Sequence, residues 1–126
     1  MNRTCGTLLA ALRNSDHRQK PFDYWLLEDI LPDAVRDAIA ELPFSPPDDT
    51  IFDGRRETNN TKRIYFTPLN QRRFAVCREV ADAFRSYQIV RAIERTTGAN
   101  LRVGQLRIEY CQDVDGFWLE PHVDIR

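Results

Sequence analysis

The spacing of apolar and polar residues predicts a mixed first part, a helical middle and a strand-rich end. Residues 22–27 are aromatic and apolar, which predicts a short strand. Apolar residues recur at helical spacing between Pro32 and Pro43, so a helix is expected there, begun by one proline and ended by the other. A second apolar stripe, over residues 70–84, predicts another helix, and a third is expected to stop at Gly98.

Three further segments predict strands, and one predicts a long loop. Residues 63–66 form a short strand candidate, and apolar side chains alternate with charged ones within residues 101–111. A glycine-containing turn then leads into a last predicted strand at 117–124. Residues 45–62 form a polar loop rich in proline, aspartate and asparagine. A loop of this length often belongs to a lid or a binding surface, and a mobile excursion is the open alternative.

Composition narrows the class of protein. The chain has 126 residues, of which 42% are hydrophobic and 29% charged, so it suits one small domain or part of a larger one. Its 18 basic and 19 acidic residues give a net charge of −1, so no nucleic-acid or membrane partner is expected. The three cysteines are far apart, which argues against a disulfide framework or a zinc ribbon and favours a reducing compartment, the cytoplasm.

The last predicted strand carries candidate metal ligands. Side chains two residues apart share one face of a strand, so Glu120, His122 and Asp124 are expected to point the same way. An imidazole and a carboxylate at this spacing could contact one cation. Two histidines and one carboxylate on one face of an octahedron form the Fe(II) site of non-haem oxygenases. On spacing alone, the alternative is an ordinary histidine with an acidic neighbour.

The stretch GFWLEPHVD, with RIEY upstream, resembles the first half of the iron site in 2-oxoglutarate/Fe(II)-dependent dioxygenases. The closest likeness is to the prolyl-4-hydroxylase-like branch, in which such a segment leads into a double-stranded β-helix. The stretch PFDYWLLEDILPDAVRDAIAEL is similar to the strand and helix that these enzymes place before the barrel. The resemblance spans most of residues 21–126 and is specific at His122-Val123-Asp124.

The resemblance implies an α+β fold in which a helical layer packs on the first strands of a double-stranded β-helix, of the jelly-roll or cupin-like kind, truncated. Residues 1–20 are expected to form an amino-terminal helix and linker, and residues 21–126 the incomplete dioxygenase domain. His122 and Asp124 match the first two iron ligands. Tyr110 lies near a family tyrosine that touches 2-oxoglutarate, although it could equally be a core or barrel-lining aromatic. The implied reaction is hydroxylation of a peptidyl or small-molecule substrate.

Two elements of the family pattern have no match in the chain. The distal histidine and the basic residue that binds 2-oxoglutarate are expected further along, and the other histidine here is His17, in the predicted first helix or the linker after it. The sequence therefore predicts a dioxygenase fragment that is inactive as given. The alternative is a non-catalytic remnant of the same fold that binds a protein. A hydrolytic zinc site would need a third ligand and a general base that the sequence does not offer.

Overall fold

The computed structural model describes residues 2–46, 53–55 and 63–123. Within these ranges the chain forms five α-helices and two antiparallel sheets of two strands each. In chain order the elements are α1 (Arg3–Arg13), β1 (Asp16–Arg18), β2 (Tyr24–Leu26), α2 (Asp33–Ala40), β3 (Ile64–Tyr65), α3 (Pro68–Arg73), α4 (Ala75–Arg85), α5 (Tyr87–Thr97) and β4 (Glu109–Tyr110). None of the helices in the described ranges has the length and apolarity needed to cross a bilayer.

Local side-chain contacts fix where several of these helices begin and end. The side-chain oxygens of Asn2, Thr67 and Ser86 each accept a hydrogen bond from a backbone N–H in the first turn of α1, α3 and α5. Such caps satisfy donors that have no partner within the helix. Helix α5 ends at Gly98, whose left-handed conformation (φ 77°) lets its N–H donate to the carbonyl of Glu94.

The helices enclose two apolar cores that meet at α4. The buried residues of the first core are Cys5, Leu8, Leu12, Ala83, Ile89 and Ala92, contributed by α1, α4 and α5. The second core joins α2 and α4 to the sheet of β3 and β4, and its buried residues are Val35, Leu42, Phe66, Cys77 and Val80. Phe84 packs against both cores. Helix α4 is therefore the central element, because its two apolar sides are covered by different partners.

The two sheets are short and lie at the periphery of the cores. Strands β1 and β2 form a hairpin in which His17 lies opposite Trp25. The predicted boundary between residues 1–20 and residues 21–126 falls within this hairpin. Helix α1, which precedes that boundary, shares the first core with α4 and α5, which follow it. In the second sheet Ile64 lies opposite Tyr110, and the N–H of Phe66 extends the ladder by donating to the carbonyl of Ile108 at 2.9 Å.

The helical predictions are confirmed more fully than the strand predictions. The helix before Pro43 and the helix that stops at Gly98 are present, and the strands expected at 22–27 and 63–66 are present in shortened form. The prediction of a single helix over residues 70–84 is wrong. It is two helices, α3 and α4, because Phe74 adopts an extended conformation (φ −129°, ψ 114°) between them.

The two later strand predictions fail over most of their length. Of residues 101–111 only Glu109 and Tyr110 form a strand, and the described residues of the predicted 117–124 strand form none. The physical reason is the shortage of pairing partners, since β3 is two residues long and Pro121 has no N–H to donate. No double-stranded β-helix is seen in the described part of the chain, and that architecture stays a prediction.

Candidate metal site

The segment that carries His122 follows a turn and lies on the surface. The N–H of Phe117 donates to the carbonyl of Val114 at 3.1 Å, which closes the turn. His122 is exposed, and its Nδ1 lies 3.0 Å from the backbone oxygen of Glu120. A carbonyl can only accept, so Nδ1 carries the proton, and in the neutral ring Nε2 then carries the lone pair. Metal-binding histidines are commonly held in this way, with one ring nitrogen donating to a carbonyl and the other facing the metal.

A short piece of the polar loop contacts this segment. The N–H of Glu120 donates to the carbonyl of Gly54 at 2.8 Å. Gly54 is buried, although its neighbours Asp53 and Arg55 are exposed. The N–H of Arg55 donates to the side chain of Asp53 at 2.9 Å, which stabilises the turn around Gly54. Residues 53–55 therefore support the segment that carries the candidate ligand.

The second predicted ligand, Asp124, lies outside the described residues, so its geometry relative to His122 is not part of the structure. Among the residues that the structure describes, no three His, Cys, Asp or Glu side chains come together as a metal-binding group. The described part thus contributes one imidazole to the predicted site.

Tyr110 occupies the edge of the second core. Its ring packs edge-to-face against Phe44, with centroids 5.2 Å apart. The amide nitrogen of Gln112 donates to the Tyr110 hydroxyl and also to the carbonyl of Phe44, the latter at 3.1 Å. These contacts give the tyrosine a packing role, as the sequence alternative suggested. Contact between Tyr110 and 2-oxoglutarate stays a prediction. To bind 2-oxoglutarate, the Tyr110 hydroxyl would have to break its hydrogen bond with Gln112 or keep it while making a second one.

His17 follows α1, in the stretch that the sequence assigned to the first helix or the linker after it. Within that stretch it lies in strand β1. Its ring stacks on Trp25 across the hairpin, with centroids 4.5 Å apart, and its Nε2 lies 3.0 Å from the carboxylate of Asp23. The strand itself was not predicted, because residues 16–18 are all polar and lack the apolar alternation that signals a strand.

The thiols of the second core and its sheet are poor ligands at neutral pH. Burial raises the pKa of the Cys77 thiol, and burial followed by the hydrogen bond to Glu109 raises that of Cys111. The Cys111 thiol donates to the Glu109 carboxylate at 3.5 Å. Because the thiolate is the form that binds metals, the raised pKa values disfavour these two sulfurs as ligands. The predicted site uses the imidazole of His122 and the carboxylate of Asp124.

The sequence predicted a site at His122 and assigned no role to Gly54. The Asp53-Gly54 pair predicts a turn, and nothing in the local pattern indicates which distant segment that turn contacts. No family model matches this chain, and neither a curated protein nor a solved structure is significantly similar to it. The dioxygenase resemblance therefore rests on the residues quoted for it.

Proposed function

We propose that this chain supplies His122 and Asp124 to the Fe(II) site of a 2-oxoglutarate-dependent dioxygenase that hydroxylates a peptidyl or small-molecule substrate. The observation that supports the proposal is the hydrogen bond from Nδ1 of His122 to the carbonyl of Glu120. It selects the tautomer whose Nε2 can bind a metal, two residues before a carboxylate. A helical layer packed on the first strands of a double-stranded β-helix is part of the same proposal.

The two donor types are those of a non-haem iron(II) site. One imidazole and one carboxylate are two of the three protein ligands in a two-histidine, one-carboxylate site. Iron(II), with 2-oxoglutarate and dioxygen, supplies the oxidising chemistry when bound. The chain's part is to orient the His122 imidazole through the Glu120 carbonyl and to supply the carboxylate of Asp124, two residues later in the sequence.

The 126 residues contain two histidines, and His17 is engaged with Asp23 and Trp25 in the hairpin. We therefore expect this chain to bind divalent metal weakly and to show no turnover of 2-oxoglutarate. Robust succinate production by the 126-residue chain with Fe(II) would contradict the two-ligand assignment.

The test uses Mn²⁺ as a paramagnetic substitute for Fe(II). In proton NMR, bound Mn²⁺ broadens the signals of nearby nuclei. The two histidine side chains provide an internal comparison, assigned with His17→Gln and His122→Gln. We expect substoichiometric Mn²⁺ to broaden the His122 ring signals and to leave those of His17 sharp, and Asp124→Asn to reduce the effect. No broadening of the His122 ring, or equal broadening of both rings that His17→Gln leaves unchanged at His122, would overturn the metal site and leave the non-catalytic alternative.

A further inference from the structure

Gly54 lies beneath the indole ring of Trp118 with no room for a side chain. An ideal Cβ built on Gly54 falls closer than 3.0 Å to three carbons of that ring, Cε3, Cζ3 and Cη2, a separation that real Cβ atoms essentially never show. Gly54 is buried by this contact, while Trp118 is 51% exposed. The backbone of Gly54 is also left-handed, with φ at 74°, which favours glycine. Two independent constraints thus favour glycine at this position, because an added Cβ would be strained and would force the Trp118 ring to shift.

Glu120 connects this contact to His122. Its N–H donates to the carbonyl of Gly54 at 2.8 Å, and its own carbonyl accepts from Nδ1 of His122 at 3.0 Å. The backbone of one residue therefore joins the glycine on one side to the imidazole on the other. If Gly54 moves away, the Glu120 backbone loses its described long-range bond, and the carbonyl that orients the imidazole is no longer held in place.

We propose that Gly54 is a positioning residue for His122. The Trp118 ring covers Gly54, Gly54 fixes the backbone of Glu120, and Glu120 holds the imidazole with its proton on Nδ1. The importance of this arrangement for metal binding rests on the proposed function. The arrangement itself does not, since orientation and tautomer of the imidazole exist without metal.

A second glycine provides a matched control. Gly98 has φ at 77°, nearly the same as Gly54, but an ideal Cβ built on it meets nothing within 4 Å. Gly54→Ala and Gly98→Ala therefore both place a side chain at a left-handed φ, and only the first collides with Trp118. A difference between the two variants at His122 isolates the contact from the backbone strain.

The first measurement is made without metal on the full 126-residue chain. In ¹⁵N NMR we expect the wild type to show the Nδ1–H tautomer of His122 and a protected Glu120 amide. Gly54→Ala should move the ring towards the other tautomer and lower that amide protection about tenfold or more, and Gly98→Ala should change neither. Exchange of the Ile89 amide, in the first core, verifies that each variant is folded.

The second measurement tests whether the collision is the cause. In a Trp118→Ala background the ring is gone, so adding Gly54→Ala should affect the Glu120 amide no more than Gly98→Ala does. If Gly54→Ala has the same effect with and without the ring, or no effect on tautomer and protection, the proposal is overturned.

Metal binding then gives a readout that is separable from the first two. We expect Gly54→Ala to weaken the Mn²⁺-induced broadening of His122 by about tenfold or more, the range for residues that orient a ligand. If the wild type shows no broadening while Gly54→Ala still alters the tautomer, the metal site fails and the positioning role stands. If the wild type binds Mn²⁺ and Gly54→Ala binds it equally well, the positioning role fails.

Discussion

The helical part of the structure and the segment after β4 are held in place by different kinds of contact. In the helical part, Ile89 is fully buried between α1, α4 and α5, and the helices satisfy their own backbone bonds. In the segment after β4, residues 111–123 form no helix or strand, and Val123 is 83% exposed. Hydrogen bonds from the Glu120 N–H to the Gly54 carbonyl and from the Gln112 side chain to the Phe44 carbonyl join this segment to the rest of the described chain.

This difference follows from where each structure finds its hydrogen-bond partners. The backbone hydrogen bonds of a helix join residues that are four apart. A sequence of about eleven residues therefore contains the hydrogen-bond partners for the interior of α4 or α5. A strand bonds only to a neighbour, and a segment without a long neighbour has no ladder to join. The candidate ligand His122 thus lies in the region that depends most on distant partners, and the stable core lies elsewhere.

The largest expected effect comes from removing a core side chain. Ile89→Ala should lower the free energy of unfolding by roughly 2–5 kcal/mol, because it leaves a cavity among fully buried neighbours. Val123→Ala, in the exposed segment, should change it by less than about 0.5 kcal/mol. Urea unfolding followed by circular dichroism compares the two. Similar losses from both variants would show that the segment is as well packed as the core.

How far the sequence predicts this structure depends on the range of the interaction. The buried positions of Val35, Cys77 and Ile89 follow from helical spacing, since each lies on an apolar stripe. The break at Phe74 was missed because apolar spacing continues through it. Thr67, which caps α3, and Pro68, in its first turn, are local signals for where α3 begins, but neither indicates the break at Phe74.

The range of the interaction also decides which parts of the candidate site the sequence predicts. The His122 and Asp124 pair could be predicted because its two members are only two residues apart in the sequence. Local sequence patterns do not predict the support from Gly54, because a glycine in a polar loop does not indicate which distant tryptophan packs against it. The predicted strands are too long for a related reason. Alternation of apolar and polar residues indicates which side chains share a face of a strand, but it does not show whether a neighbouring strand is there to pair with it.

A smaller effect is expected from the polar contact that fastens α1 to α4. Arg3 donates to the Glu79 carboxylate at 2.8 Å, and the hydroxyl of the buried Thr4 lies 3.3 Å from the same oxygen. The hydrogen bond from Arg3 lowers the pKa of Glu79 below its ordinary 4.5. Glu79→Gln should cost about 1 kcal/mol at neutral pH, a modest value because Arg3 is half exposed.

The pH dependence of that loss identifies its cause. A carboxyl whose pKa is lowered by folding stabilises the folded state fully above its unfolded pKa, and this contribution disappears as the pH falls through the folded pKa. The difference between wild type and Glu79→Gln should therefore be constant near neutral pH and shrink below about 4.5. Glu28→Gln, at an exposed position, is the control and should show no such trend. A pH-independent difference would assign the loss to packing.

The smallest effect is expected at the hairpin, which lies outside both cores. His17 stacks on its cross-strand partner Trp25 and contacts Asp23, but it is exposed to solvent. Cross-strand pairs and surface ion pairs each contribute a few tenths of a kcal/mol, so His17→Ala should cost about 0.5 kcal/mol or less in urea unfolding. The variant should also leave the Mn²⁺ broadening of His122 unchanged. A weaker effect at His122 would instead make His17 a ligand of the same ion. The hairpin would then belong to the site, and the contrast between a self-sufficient helical core and a separately supported His122 segment would no longer hold.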